Sequence, residues 1–164
     1  MKILLTAINA KYIHSNLAVY SLKAYAGNEN VELAEYTINQ QKDDILIDIY
    51  KRRPDILCLS CYIWNLDYVE AIIREVHKLR PNMPIWVGGP EVSYDSVDVL
   101  NRLPQITGVM KGEGEETFSE LCKLWSDESL DAKDTELCLK STKGITCRMA
   151  DGSIVENPWR EIMD

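Results

Sequence analysis

Ile56-Leu57-Cys58-Leu59-Ser60-Cys61-Tyr62 follows a helix-breaking Pro54-Asp55 and carries no charged residue. A run that is apolar at successive positions, rather than at every second one, marks a strand buried on both faces, as in the centre of a parallel sheet. The strand closes on a small hydroxyl, the aromatics Tyr62 and Trp64 follow, and Asn65 or Asp67 then caps a helix that runs to about Leu79.

The same alternation extends in both directions. Residues 3–8 form an apolar first strand, Ser15-Asn16 offers a helix N-cap, and a helical stripe over about 16–26 stops at Gly27-Asn28. Residues 31–38 alternate apolar and polar as a half-buried strand does, and Ile45, Leu46, Ile49 and Tyr50 mark a helix over 43–50. Beyond Arg80-Pro81-Asn82, a strand over 84–88 turns at Gly89-Pro90 into a helix near 94–103, a strand over 106–110 follows, and a helix covers 115–125. Strict alternation predicts an α/β fold: a flavodoxin-like (Rossmann-like), doubly wound, five-stranded parallel sheet with helices on both faces. That domain occupies 1–126. Residues 126–140 read as a polar, acidic linker, and Ala150-Asp151-Gly152 between alternating runs signals a β-hairpin. The segment 127–164 is thus expected to be linker, hairpin and the start of a connector toward a further domain.

Composition narrows the function classes. The chain has 164 residues, 46% hydrophobic and 27% charged, which suits one soluble core. Eighteen basic against 26 acidic residues give a formal charge of −8, so nucleic acid and anionic membranes are poor partners. The opening Met1-Lys2-Ile3-Leu4-Leu5 is too short for a secretory core or a membrane span, and a cytoplasmic location is the expectation. Cysteines at 58, 61, 122, 138 and 147 then read as reduced thiols.

In an open α/β sheet a ligand sits beyond the carboxyl ends of the strands, which selects four loops. The first holds Asn9, Tyr12, Ile13, His14, Ser15 and Asn16, too bulky for a glycine-rich phosphate loop. The second is Ser60, Cys61, Tyr62, Trp64, whose rings suit a wide planar ligand or simply cap the core. The third, Gly88-Gly89-Pro90-Glu91, lets a ligand approach the backbone or serves only a tight turn. The fourth, Gly112-Glu113-Gly114, carries carboxylates where a pyrophosphate needs donors, so phosphate is rejected there. Cys58 and Cys61 have CxxC spacing, yet residues three apart on a strand face opposite ways and cannot share one ion. His77 reads as a surface or edge residue, and His14 as either a metal ligand or a locally hydrogen-bonded loop histidine.

Lys11-Tyr12-Ile13-His14-Ser15-Asn16-Leu17-Ala18, Leu59-Ser60-Cys61-Tyr62, Val87-Gly88-Gly89-Pro90-Glu91 and Gly112-Glu113-Gly114-Glu115, in this order after the first, third, fourth and fifth strands, resemble cobalamin (B12)-binding domains fused to radical S-adenosylmethionine enzymes. The resemblance covers about 1–126, and the hairpin is similar to the connector that follows. It implies a corrinoid lying across the strand ends, with its nucleotide tail beside the sheet, Ser60 and Gly88-Gly89 near that tail, and the first loop facing the corrin ring. It also implies a separate barrel in the same polypeptide holding a 4Fe-4S cluster and S-adenosylmethionine. The CxxxCxxC motif of that barrel is missing here, since Pro54 stands where the pattern would place its first cysteine. His14 is the candidate cobalt ligand, although Tyr12 and Leu17 occupy the Asp and Gly positions of the DxHxxG motif of the methyltransferase branch. Within the family the chain most resembles proteins labelled magnesium-protoporphyrin monomethyl ester oxidative cyclases. Methyl transfer and radical cyclisation both remain open.

Three other readings compete. A signalling receiver needs paired acids after the first strand and an Asp ending the third, where Asn9-Ala10 and Ser60-Cys61 stand. A flavin or nucleotide binder needs a small first loop in place of Tyr12, Ile13 and His14. A degenerate domain that keeps the fold without a cofactor would use its aromatic loops to dock a partner or present substrate.

Overall fold

The computed structural model describes residues 1–10, 17–62 and 64–161. Its elements follow in order: β1 (Ile3–Asn9), α1 (Leu17–Ala26), β2 (Val31–Thr37), α2 (Lys42–Arg52), β3 (Ile56–Ser60), α3 (Leu66–Leu79), β4 (Ile85–Gly88), α4 (Pro90–Ser93), α5 (Ser96–Arg102), β5 (Gly108–Met110), α6 (Glu115–Trp125), α7 (Ala132–Ser141), β6 (Ile145–Arg148) and β7 (Ile154–Glu156). One sheet of seven strands has the order β2-β1-β3-β4-β5-β6-β7. Pairings from β2 through β5 are parallel. Those of β5 with β6 and β6 with β7 are antiparallel.

Side-chain alternation divides the core into two layers. On β3, Leu57 and Leu59 face the layer built with Ile45 and Ile49 of α2, Ile72 and Val76 of α3, and Val99 of α5. Ile56 and Cys58 point the other way, into the layer shared with Val19 of α1 and Phe118 and Leu121 of α6. Every residue of β3 is buried, as an apolar run on a doubly covered strand requires. Cys61 continues the alternation and joins Leu57 and Leu59, so Cys58 and Cys61 lie in opposite layers.

The structure revises or refines three expectations drawn from the sequence. Residues read as a polar linker include the helix α7, capped where the Asp131 carboxylate accepts from the Asp134 N–H at 2.7 Å. No residue of α7 is fully buried, so apolar periodicity could not announce it. The hairpin, expected at the start of a connector, also extends the sheet: Ile145 and Cys147, both 0% exposed, complete the layer under α6, and β6 covers the edge of β5. The helix expected near 94–103 is α5, and a short helix, α4, precedes it, because Pro90 at the first helical position starts a turn immediately after Gly89. No helix among the described residues is long and apolar enough to cross a membrane.

Close packing within the sheet is tightest where Gly108 pairs with Trp86. A Cβ on Gly108 would meet the Trp86 ring at 2.4 Å, and Trp86 is 1% exposed with its ring edge-on to Trp125 at 5.6 Å. Gly108→Ala should therefore destabilise the fold by about 1–3 kcal/mol through overpacking, measured as a lower urea midpoint with an unchanged slope.

Candidate ligand cavity at the carboxyl edge

The strand order reverses between β1 and β3, the place where an open α/β sheet leaves a crevice beyond its carboxyl ends. Asn65, 1% exposed, ties this point together. Its Nδ2 donates to the Ile8 carbonyl at 2.8 Å, and its Oδ1 accepts from the Tyr62 N–H at 2.8 Å. The residue stands at the N-cap of α3, yet its side chain makes no capping bond there, because it turns back to join the ends of β1 and β3.

The next loop is shaped by a close backbone contact. Gly89 has φ 112°, and a Cβ on it would lie 2.4 Å from the Cys61 carbonyl oxygen, so no other residue fits without movement. The Cys61 N–H donates to the Gly88 carbonyl at 2.7 Å, which holds the loops after β3 and β4 side by side. Ser93 links the loops after β4 and β5: its hydroxyl donates to the Gly89 carbonyl at 2.7 Å and accepts from the Gly112 N–H at 3.0 Å.

These loops border a cavity of about 660 Å³ between the sheet and α1, within the ordinary size of a small-molecule or cofactor site. Leu5, Cys58 and Met110 form its apolar floor. Ala18, Ser21, Leu22 and Tyr25 form one wall, at the i, i+3, i+4, i+7 spacing of a single helix face. Val19 is the one fully buried residue among those of α1, and it packs into the core layer of Leu5 and Cys58.

Of the residues singled out in the sequence, Ser60, Tyr62, Gly88, Gly89, Pro90, Gly112, Glu113 and Gly114 line this cavity together. Trp64 does not line it, but its ring stacks on Tyr62 at 4.5 Å and 6° between planes. Asn9 donates from Nδ2 to Glu35 Oε1 on β2 at 3.3 Å, Glu91 lies in the first turn of α4, and Cys61 is packed in the other core layer. Tyr12, Ile13, His14, Ser15 and Asn16 lie outside the described residues. Sequence reasoning missed Ser21, Leu22 and Tyr25, along with Ser93, Tyr94 and the floor residues. The helix-face spacing of 18, 21, 22 and 25 was the available signal.

Electrostatics at the rim are acidic. Glu113 and Glu115 border the cavity, and Ser21 donates to Glu115 at 3.2 Å. Lys111 adjoins them in sequence but is 2% exposed and donates to the Asn157 carbonyl at 2.6 Å. Burial lowers its pKa, an effect opposed by Glu156. Among the described residues no cluster of His, Cys, Asp or Glu could hold a metal ion. An apolar floor with hydroxyls and backbone groups at the glycine loops suits a largely neutral heterocyclic ligand better than one held by a phosphate clamp.

Comparison with known proteins agrees with this geometry. The model of the B12 binding domain matches residues 3–122. The chain belongs to the B12-binding domain family. Among curated proteins, 2-(S-pantetheinyl)-carbapenam-3-carboxylate methyltransferase of Streptantibioticus cattleyicolor is 40% identical over 68 residues, 42% of this chain and 10% of the relative. The cobalamin-dependent radical SAM methyltransferase TokK of Streptomyces tokunonensis is 35% identical over 68 residues, with the same shares. The chain thus spans about a tenth of the length of these relatives. Among solved structures, the cobalamin-dependent S-adenosylmethionine radical enzyme OxsB, with aqua-cobalamin and S-adenosylmethionine bound, superposes with a TM-score of 0.74 at 18% identity over 98% of this chain and 22% of that one. A cobalamin-binding protein from Desulfitobacterium hafniense gives a TM-score of 0.56 at 16% identity over 77% and 59% of the two chains. These structures share the fold.

The thiols are placed for packing. Burial pushes Cys61 and Cys122 up to about 12 and Cys147 to about 11, and raises Cys58 well above the ordinary thiol range. At pH 8 each stays protonated and shielded, which fits neither a thioredoxin-type pair nor a metal site. Iodoacetamide treatment of the native protein followed by mass spectrometry should label the half-buried Cys138 and leave Cys58 and Cys61 unmodified until denaturant is added. Labelling of Cys61 in the native state would contradict its placement.

Proposed function

We propose that this chain is the corrinoid-binding module of a cobalamin-dependent radical S-adenosylmethionine enzyme, holding the corrinoid across the carboxyl edge of the sheet with its nucleotide tail in the cavity. The observation that carries this reading is the cavity of about 660 Å³ bounded by Ser60, the Gly88-Gly89 turn and the face of α1. Gly89 and Gly112 bring backbone to the cavity wall, and Ser60 supplies a hydroxyl at the end of β3. Leu5, Cys58 and Met110 remove water from the ligand's apolar surface. Tyr62, stacked on Trp64, offers an aromatic face where a wide macrocycle would lie.

A bound corrinoid supplies a cobalt centre able to carry a methyl group. The iron–sulfur cluster and S-adenosylmethionine belong, on this reading, to a separate barrel of the same polypeptide, to which the chain presents its ligand. Methyl transfer is favoured over radical cyclisation, because both curated relatives are named as methyltransferases. His14 is kept as the candidate cobalt ligand on the strength of the first-loop motif alone.

Visible absorption titration of the purified chain with hydroxocobalamin and methylcobalamin tests the proposal. Saturable binding with a shifted corrin spectrum is the expected result. Ser21→Trp places bulk into the cavity from an exposed helix face and should weaken binding by at least about tenfold, with circular dichroism unchanged. A spectrum unaffected by His14→Ala would remove His14 as the ligand. Absence of binding, in this chain and in one extended through a barrel, would favour a docking module without cofactor.

A further inference from the structure

Past β7 the chain keeps close to the cavity. The Asn157 N–H donates to the Ile145 carbonyl at 3.0 Å, and the Gly144 N–H donates to the Pro158 carbonyl at 2.8 Å, so the tail stays paired alongside β6. Lys111 follows β5 directly and clasps this tail: Nζ donates to the Asn157 carbonyl at 2.6 Å and stands 5.3 Å from the centroid of the Trp159 ring. On the far side Arg160 donates to Thr117 Oγ1 at 3.1 Å and the Lys143 carbonyl at 3.0 Å, and pairs with Glu120 at 3.0 Å. Trp159 is thereby flanked in the chain by anchored residues on both sides, with the Lys111 ammonium beside its ring.

Its ring bears on the rim of the cavity. A Cβ on Gly112 would come within 3.2 Å of Trp159 Cζ3, and the ring of Tyr94 lies 5.4 Å away. Gly112 and Tyr94 both line the cavity, while Trp159 does not. Gly112, at φ 69°, lacks a side chain of its own to fix its loop. Its N–H bonds to Ser93 Oγ at 3.0 Å, and that hydroxyl in turn donates to the Gly89 carbonyl at 2.7 Å. One continuous series of contacts therefore runs from Lys111 through Trp159, Gly112 and Ser93 to Gly89.

Lysine at 111 is an expensive choice if packing were its whole purpose. The ammonium is almost fully buried and the nearest carboxylate, Glu156, is 3.8 Å away. An apolar side chain would fill the same space without desolvating a charge.

We propose that Trp159, held by Lys111, is a positioning residue for the corrinoid site: it covers Gly112 and sets the separation of the two glycine loops that grip the ligand. The inference rests on the corrinoid reading above. Lys111 and Trp159 act through the loops and touch no ligand themselves.

The test compares Trp159→Ala, Trp159→Phe and Lys111→Met with the unsubstituted chain by two readouts: hydrogen exchange at the Gly112 amide and the dissociation constant for hydroxocobalamin. Trp159→Ala should speed Gly112 exchange and raise the dissociation constant, each by about tenfold, and Trp159→Phe should restore both to within about threefold. Lys111→Met should move both in the direction of Trp159→Ala, and it decides the matter should Trp159→Ala fail to fold. Unchanged exchange in Trp159→Ala overturns the proposal, because the ring then does not hold the loop. Faster exchange with unchanged affinity overturns it too, because the loop then does not govern the ligand. Should the unsubstituted chain bind no corrinoid, the corrinoid reading falls, and exchange at Gly112 still reports whether Trp159 fixes the loop.

Discussion

The carboxyl edge is organised around a contact that admits no side chain. Gly89, at φ 112°, rests against the Cys61 backbone, where a Cβ would lie 2.4 Å from the carbonyl oxygen. This brings the chain leaving β4 against the chain leaving β3 and forces both outward around the crevice. Asn65 performs the matching task between β1 and β3 with a buried carboxamide, and Ser93 extends the arrangement to the loop after β5. Buried polar groups that are fully bonded in this way define one geometry, because each broken bond would leave a desolvated donor or acceptor. The cavity is thus bordered by loops that are tied to one another.

The charge pattern follows the same economy. Among the described residues Glu113 and Glu115 border the rim, and Lys111, which adjoins them in sequence, is withdrawn into a clasp on the tail. What the described lining offers at this edge is shape, apolar surface, hydroxyls and backbone groups. That arrangement suits membership of the B12-binding domain family and sets the site apart from glycine-rich loops that wrap a phosphate. The hairpin and tail belong to this economy as well. They cover the edge of β5, complete one core layer with Ile145 and Cys147, and carry Trp159 to the rim.

Most strands and helices were legible because their burial is uniform along the element. The apolar runs at 3–8 and 56–60 become β1 and β3, buried on both faces, and the helix expected over 115–125 is α6. Opposite orientation of Cys58 and Cys61 followed from strand geometry alone. Much of the cavity was legible as well, since glycines and aromatics after β3, β4 and β5 are conspicuous there. Less visible was α7, whose stability comes from the Asp131 cap and a partly buried Leu139 rather than from an apolar stripe. Also hidden was the place of the hairpin, because a local turn signal specifies two paired strands without saying what they pair with next.

Taken alone, the sequence determined the alternating α/β order, the parallel core and the four loops that could meet a ligand. These depend on periodicity, turn residues and chain connectivity, all of which are local or nearly so. Tertiary structure alone decided that one face of α1 borders a cavity, that β6 and β7 extend the same sheet, and that Trp159, clasped by Lys111, reaches the rim. Each of those depends on contacts between residues tens of positions apart, such as Lys111 with Asn157 and Gly112 with Trp159. No period or motif encodes a distance between two such residues; only the packed chain does.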